Sequence, residues 1–283
     1  MNRKNIIFII VLVGIGIVFG IKNIIGDLVS NNKIGVLDID YAIMDSKDAI
    51  EDIDYLVGNG VKALIIRVNS PGGGVAASQE IYQHIARVKE ENNILIVSAF
   101  SAVAASGGYY VALDSDFIFA NPGSVVGSIG VIMSYPILEE MLGYIGINQE
   151  TIKSSEYKDT GSPYRKLNES EEEYLQELVD DMYNQFVSAV SKHRNINKDV
   201  IMNKFKGKVF TGLQAKENGL IDSVGSYVDA LEYVKTKLSI SSENIIYAKE
   251  EDNGLFDFIF NNLSNKLEHS NFNNYKVPSY LWQ

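Results

Sequence analysis

A chain of 283 residues, 46% apolar and 22% charged, is long enough for a full core and has a globular composition, which excludes a wholly disordered chain. Its net charge of -11, with no basic stripe, argues against nucleic acid as the main partner, because phosphate binding relies on clustered Lys and Arg. Zero cysteines exclude disulfides, a thiolate metal site and a lipoprotein anchor.

The chain opens with "MNRKNIIFIIVLVGIGIVFGIKNIIG", uncharged from Asn5 to Ile21, which Ile24 and Ile25 lengthen if Lys22 snorkels. About 17–25 such residues form a membrane-spanning helix. Arg3 and Lys4 precede the run without an acid, so the amino terminus is expected in the cytoplasm and the remainder outside. The exit "IKNIIGDLVSNN" offers no clean small-x-small site, which favours an uncleaved anchor over a cleaved signal peptide. The expected division is an anchor over 1–26, an extracytoplasmic domain over 27–248 and a tail over 249–283.

From Lys33 to about Tyr247 short β-branched runs alternate with helical periods. "KIGVLDID", "VKALIIRV" and "NILIVSAF" are expected as buried strands, with "SKDAIEDIDYLVGNG" and "AASQEIYQHIARVKEEN" as the amphipathic helices between them. That order predicts α/β architecture with a mostly parallel sheet. After Ser106 a short helix is expected to end near Asp114, followed by a strand at "DFIFA", a turn at "NPGS" and a strand at "GSIGVIMS". Asn168 and Ser170 are candidate caps of a long helix with acids at its start, and two or three helices fill the stretch to Leu238. In the tail, Leu255, Phe256, Ile259, Phe260, Leu263 and Leu267 would share one helical face, to be covered by the domain itself, a neighbouring subunit or the membrane surface.

Two stretches could carry chemistry. "LIIRVNSPGGGVAASQEI" is a strand, a glycine-rich turn and a helix start, where free N–H groups can hold a phosphate or an oxyanion; taken alone, the motif fits a plain turn better. No Lys-Ser or Lys-Thr follows the glycines, so it is not a phosphate loop. "AASGGYYVAL" sets Ser106 before two glycines, as a nucleophile or as a small packing residue. A nucleophile needs a base within reach, and none of His84, His193 and His269 lies in a motif that would present one. A lysine base remains, and Lys158 stands in the loop "SSEYKDTGSPYR", although spacing alone does not separate it from a solvated charge. Such an amine must be held neutral, which burial or a nearby positive charge achieves.

Taken in order, "NSPGGG", "AASGGYY", "NPGSVVGSIGV" and "YKDTGSPYR" resemble the signal peptide peptidase A family of membrane-anchored serine peptidases, in its short single-repeat form, over roughly Lys33 to Leu238. Crotonase-type hydratases and the Clp protease subunit share the general fold but not this set. The resemblance implies Ser106 as nucleophile, Lys158 as general base, backbone N–H groups of Gly73 and Gly107 as oxyanion hole, and Ser128 as the hydroxyl that positions the lysine. It also implies a ββα superhelix of the crotonase and Clp type, assembly into homo-oligomers, apolar peptide substrates including remnant signal peptides, and no metal or cofactor. The rival expectations are an inactive membrane-anchored scaffold of the same fold and a crotonase-like enzyme acting on a thioester, the latter at odds with an extracytoplasmic domain.

Overall fold

The computed structural model describes residues 33–239, 244–248 and 279–281. The expected apolar strands form β1 (Lys33–Ile43), β2 (Val61–Gly74) and β3 (Leu95–Ala105), paired in parallel with Val36 beside Ile65 and Ile65 beside Val97. Parallel neighbours need a crossover, supplied by α1 (Lys47–Gly58) and α2 (Val75–Asn92). Then come α3 (Gly107–Tyr110), β4 (Phe117–Ala120), β5 (Val125–Gly127), α4 (Glu139–Tyr144) and a 3-10 turn over Glu156–Asp159. α5 (Glu169–Arg194) is followed by α6 (Lys198–Val200), which runs into a π-helical turn over Ile201–Phe205. β6 (Val209–Thr211), α7 (Gly212–Glu217), β7 (Ser223–Val224), α8 (Tyr227–Leu238), β8 (Ile245–Tyr247) and β9 (Ser279–Leu281) complete the described elements.

The main sheet has the order β6-β5-β3-β2-β1-β8. β3 pairs with β4 along Val97–Phe100 and with β5 along Val103–Ala105, so the two strands leave it at different levels. Both faces are covered. Leu64, Ile66 and Val68 join Ile81 and Ile85 of α2 and Phe186 of α5 in one cluster, while Ile34, Ala63, Ile65 and Val97 join Ala230 and Val234 of α8 in the other. Burial on both faces is why these strands read as continuous apolar runs, and each buried Leu or Ile contributes about 1.5–3 kcal/mol.

The long helix starts where the sequence expects. The Asn168 side chain accepts from Glu171 N at 2.9 Å and the Glu171 carboxylate accepts from Asn168 N at 3.0 Å, a reciprocal cap. Two expectations change. "PGGG" is not a free turn, because β2 continues through it, pairing Ala42 with Gly72 and Ile43 with Gly73. A Cβ on Gly73 would lie 2.0 Å from Ile43 O, so only glycine lets the strands approach this closely. The strand expected over "GSIGVIMS" ends instead at Gly127, where φ of +108° and then +52° at Ser128 turn the chain away.

Among the described residues no helix is long and apolar enough to cross a membrane. The apolar segment Asn5–Ile21 and the helical face expected from Leu255 to Leu267 lie outside the described residues.

Candidate active site

Ser106 sits at the end of β3, immediately before α3. Its backbone is held at φ +55°, ψ -118°, a conformation that costs a non-glycine residue about 1–3 kcal/mol and persists only where the surroundings impose it. The constraints are visible. Ser106 N–H donates to Gly127 O at 2.7 Å, while its carbonyl accepts from Tyr109 N at 3.0 Å and Tyr110 N at 2.9 Å. The tyrosines of "GGYY" then fix α3 to the core: the Tyr109 hydroxyl donates to Leu220 O at 2.7 Å, and the Tyr110 ring packs 5.2 Å from Tyr82 and 4.9 Å from Phe186.

The small residues of this corner are required by space. A Cβ on Gly107 would lie 2.4 Å from Ser78 Oγ and 3.2 Å from Gly73 N, and one on Gly108 would lie 2.6 Å from Ser70 O. The glycine-rich end of β2 and the start of α3 are therefore in contact, which brings Gly73 and Gly107 together beside Ser106. Ser78 closes the corner by donating from Oγ to Gly74 O at 2.9 Å. Sequence reasoning missed Ser78, whose only signal is its place one helical turn after Gly74.

The Ser106 side chain is fully buried, and its Oγ has no hydrogen-bond partner among the described residues. A buried hydroxyl without a partner costs about 1–3 kcal/mol, so this position is kept against stability. Ser128 is also at hand: Ala105 pairs with Gly127, which sets Ser106 and Ser128 at the ends of neighbouring strands. Ser128 is buried, and its N–H donates to Lys208 O at 2.9 Å.

Lys158 is placed differently. It stands on the 3-10 turn Glu156–Asp159, exposed, and a single chain does not join its amine to Ser106 Oγ. The histidines within the described residues are engaged elsewhere. His84 Nε2 lies 2.8 Å from Asp54 Oδ1, and His193 Nε2 lies 2.7 Å from the Tyr82 hydroxyl with its Nδ1 3.2 Å from Asp114. Burial pushes His193 below its ordinary value. His269 lies outside the described residues. No group of His, Asp and Glu among the described residues is arranged to hold a metal ion.

One feature at this site could not be read from spacing. β9, near the carboxyl terminus, pairs antiparallel with the glycine-rich end of β2, Leu281 beside Gly72, Tyr280 beside Gly73 and Ser279 beside Gly74. An extended segment of the chain thus lies along the strand that carries Gly73.

Residues 89–241, which include Ser106, Ser128 and Lys158 but not Gly73, match the pattern that defines Peptidase family S49. A protein of Enterococcus faecium named for signal peptide peptidase SppA is 39% identical over 207 residues, covering 73% of this chain and 59% of that protein. A protein of Synechocystis sp. named as a protease is 37% identical over 211 residues, covering 75% of this chain and 73% of its own length. Protease 4 of Haemophilus influenzae is 32% identical over 210 residues, 71% of this chain but 34% of the relative. The chain therefore spans less than two thirds of the Enterococcus protein and about a third of protease 4. With a strained serine before two closely packed glycines, a second glycine strand against it and a family match that spans more than half of the chain, from the end of α2 through β3 and α5 to α8, the chain belongs to peptidase family S49, the signal peptide peptidase A type that its motifs resemble.

Proposed function

We propose that the protein is a membrane-anchored serine endopeptidase that cleaves extended apolar peptides, with Ser106 as nucleophile and Lys158 as general base. The N–H groups of Gly73 and Gly107 serve as oxyanion hole, and Ser128 orients the lysine amine. The observation that carries the reading is Ser106 itself: a buried, unpartnered hydroxyl on a strained backbone, in a corner where two glycines can bear no side chain. A serine kept for packing needs neither the strain nor the open hydroxyl.

In the proposed reaction the neutral Lys158 amine takes the Ser106 proton as Oγ attacks the scissile carbonyl carbon. Negative charge develops on the carbonyl oxygen, and the two fixed N–H groups stabilise it by about 3–4 kcal/mol each because they need no reorganisation. Collapse expels the amine, which receives the proton from the Lys158 ammonium. The Lys158 amine then takes a proton from water as its oxygen attacks the acyl carbon, and the ammonium returns that proton to Ser106 Oγ as the acid leaves.

The substrate takes the place of β9, as an extended backbone laid antiparallel on Gly72–Gly74, whose other side is paired with β1. Main-chain pairing of this kind gives affinity without demanding a particular sequence. Remnant signal peptides fit, being apolar and released at a membrane. The segment 1–26 would anchor the chain there with its amino terminus in the cytoplasm, the domain 27–248 outside and 249–283 as tail. The α/β sheet belongs, in this reading, to the ββα superhelices of crotonase and Clp type, and no metal or cofactor takes part.

The site is completed by assembly. A lysine base must be shielded from water, and Lys158 is exposed in a single chain. The surrounding stretch also exposes Ile137, Met141, Tyr144, Ile145, Ile147 and Ile152, the kind of apolar surface a second copy covers. Lys158 of one copy then serves Ser106 of its neighbour. The exposed lysine is also what favours the alternative, an inactive scaffold of this fold. Incubating the protein with synthetic signal peptides and reading fragments by mass spectrometry separates them. Internal cleavage that falls at least ~10³-fold in Ser106→Ala and in Lys158→Ala is expected, and uncut peptide with the wild-type chain means a scaffold.

A further inference from the structure

Lys158 is flanked by side chains tied to α5 directly, in Tyr157 and Thr160, or through Arg165, in Asp159. The Tyr157 ring packs 5.3 Å from that of Tyr174. The Asp159 carboxylate accepts from Arg165 Nε at 2.9 Å and Nη2 at 2.7 Å, and from Lys153 Nζ at 2.7 Å. Thr160 Oγ1 donates to Glu171 Oε1 at 3.1 Å. Glu171 and Tyr174 stand three residues apart on α5, hence on one face of it. Among the described residues, Lys158 alone of residues 157–160 has a side chain with no hydrogen bond, ion pair or ring contact, so the turn presents its amine outward.

Arg165 links the two halves of this arrangement. Besides gripping Asp159, it donates to Glu171 from Nη1 at 2.7 Å and Nη2 at 2.5 Å. Glu171 is fully buried, caps α5 and belongs to a helix whose Phe186, Val187 and Val190 are in the core. Its carboxyl is held down from the ordinary 4.5 to about 2, chiefly by the Arg165 guanidinium, and that of Asp159 lies well below the usual carboxylate range for the same reason. Both are therefore ionised wherever the enzyme would work. Between Val131 and Ser170 only Gly161 is buried, so no buried apolar side chain anchors this stretch, and the guanidinium fork is its main charged tie to α5 beside the Tyr157–Tyr174 contact.

We propose that Arg165 is the positioning residue for the lysine base, locking the Lys158 turn to the rigid start of α5. It rests on Lys158 being the base. Arg165 touches neither Ser106 nor peptide; it acts by holding Asp159, and it neutralises the carboxylate next to Lys158. Without it, Asp159 is countered by Lys153 alone and its larger share of negative charge favours the Lys158 ammonium, with Glu156 and Glu171 the other acids around the turn.

The test compares wild type, Arg165→Ala, Arg165→Lys and Lys158→Ala as full-length protein on a fluorogenic extended apolar peptide across pH 6–10, with melting temperature and particle mass measured for each. Misplacing a catalytic group by an ångström costs on the order of 100-fold, so Arg165→Ala is expected to lower kcat by roughly 30–100-fold while KM changes less than about 2-fold. The rising limb of kcat/KM should move to higher pH, and Arg165→Lys, which keeps a cation but loses the fork, should recover part of both. Should the alanine variant fail to fold, the lysine variant still reads the pH shift. A folded Arg165 variant with an unmoved pH limb, or with its whole loss in KM, overturns the inference even if Lys158→Ala is inactive. Turnover retained in Lys158→Ala overturns the catalytic reading and this inference with it.

Discussion

Around Ser106 the neighbours are buried backbone and small side chains, whereas Lys158 stands on a stretch in which nothing but Gly161 is buried. The first region is fixed by space: a methyl group on Gly73 would run into the backbone of Ile43, and one on Gly107 would have to displace the Ser78 side chain. The second is fixed by charge, through Arg165 between Asp159 and Glu171. Packed cores are already ordered before a substrate arrives, while a charge-held exposed turn is positioned but still leaves its amine in water, where a lysine stays protonated. In the proposed enzyme, then, the nucleophile and oxyanion hole belong to one folded chain, and the base becomes effective on assembly.

Glycine substitutions break the comparison at its tighter side. In Gly73→Ala the new methyl meets backbone, Ile43 O at 2.0 Å, and the β1–β2 edge must shift. Loss of one oxyanion donor is worth about 10²–10³ in kcat, and this variant should show that loss. Gly107→Ala first meets Ser78 Oγ at 2.4 Å, a side chain that can rotate, and should lose less, about 10-fold. Gly123, which would meet nothing within 4 Å, provides the control: its alanine variant should retain full kcat/KM. Equal losses at all three positions in peptide assays would mean that space is not what shapes the site.

A smaller effect sharpens the charged side. Asp159 and Glu171 are depressed in the folded state, Glu171 to about 2, so below the ordinary carboxylate range near 4 the unfolded chain binds more protons than the folded one. The stability they contribute is fully present above about pH 5 and is lost as pH falls towards 2. Melting temperature followed by circular dichroism from pH 6 to pH 3 should therefore drop more in wild type than in Arg165→Ala, where Asp159 keeps only Lys153 and Glu171 loses its cation. Parallel curves would mean that the network contributes nothing to the fold.

The strands β1 to β4, both crossover helices and the Asn168 cap were legible because they depend on local periodicity and a local capping pattern, whereas the strand expected over "GSIGVIMS" was not, since two left-handed residues end it at Gly127. Ser106 was legible as a candidate from its glycines, but its strain depends on Gly127 O and on the core contacts of Tyr109 and Tyr110, which lie far apart in sequence. The exposure of Lys158 was not legible, since "YKDTGSPYR" gives the residues of the loop but not what covers them. The role of "PGGG" as paired strand escaped for a similar reason: glycine runs signal turns, and only the close approach of Ile43 and the return of β9 make this one a strand.

The central claim is that Lys158 of one copy completes the site around Ser106 of another. The direct measurement mixes Ser106→Ala with Lys158→Ala, dissociates and reassembles the mixture, and follows peptide cleavage. Each variant alone should be inactive, and a one-to-one mixture should regain on the order of a quarter of wild-type activity, because random neighbours in a head-to-tail assembly leave about one site in four intact. A mixture as inactive as its components, although light scattering shows mixed particles, would contradict the account.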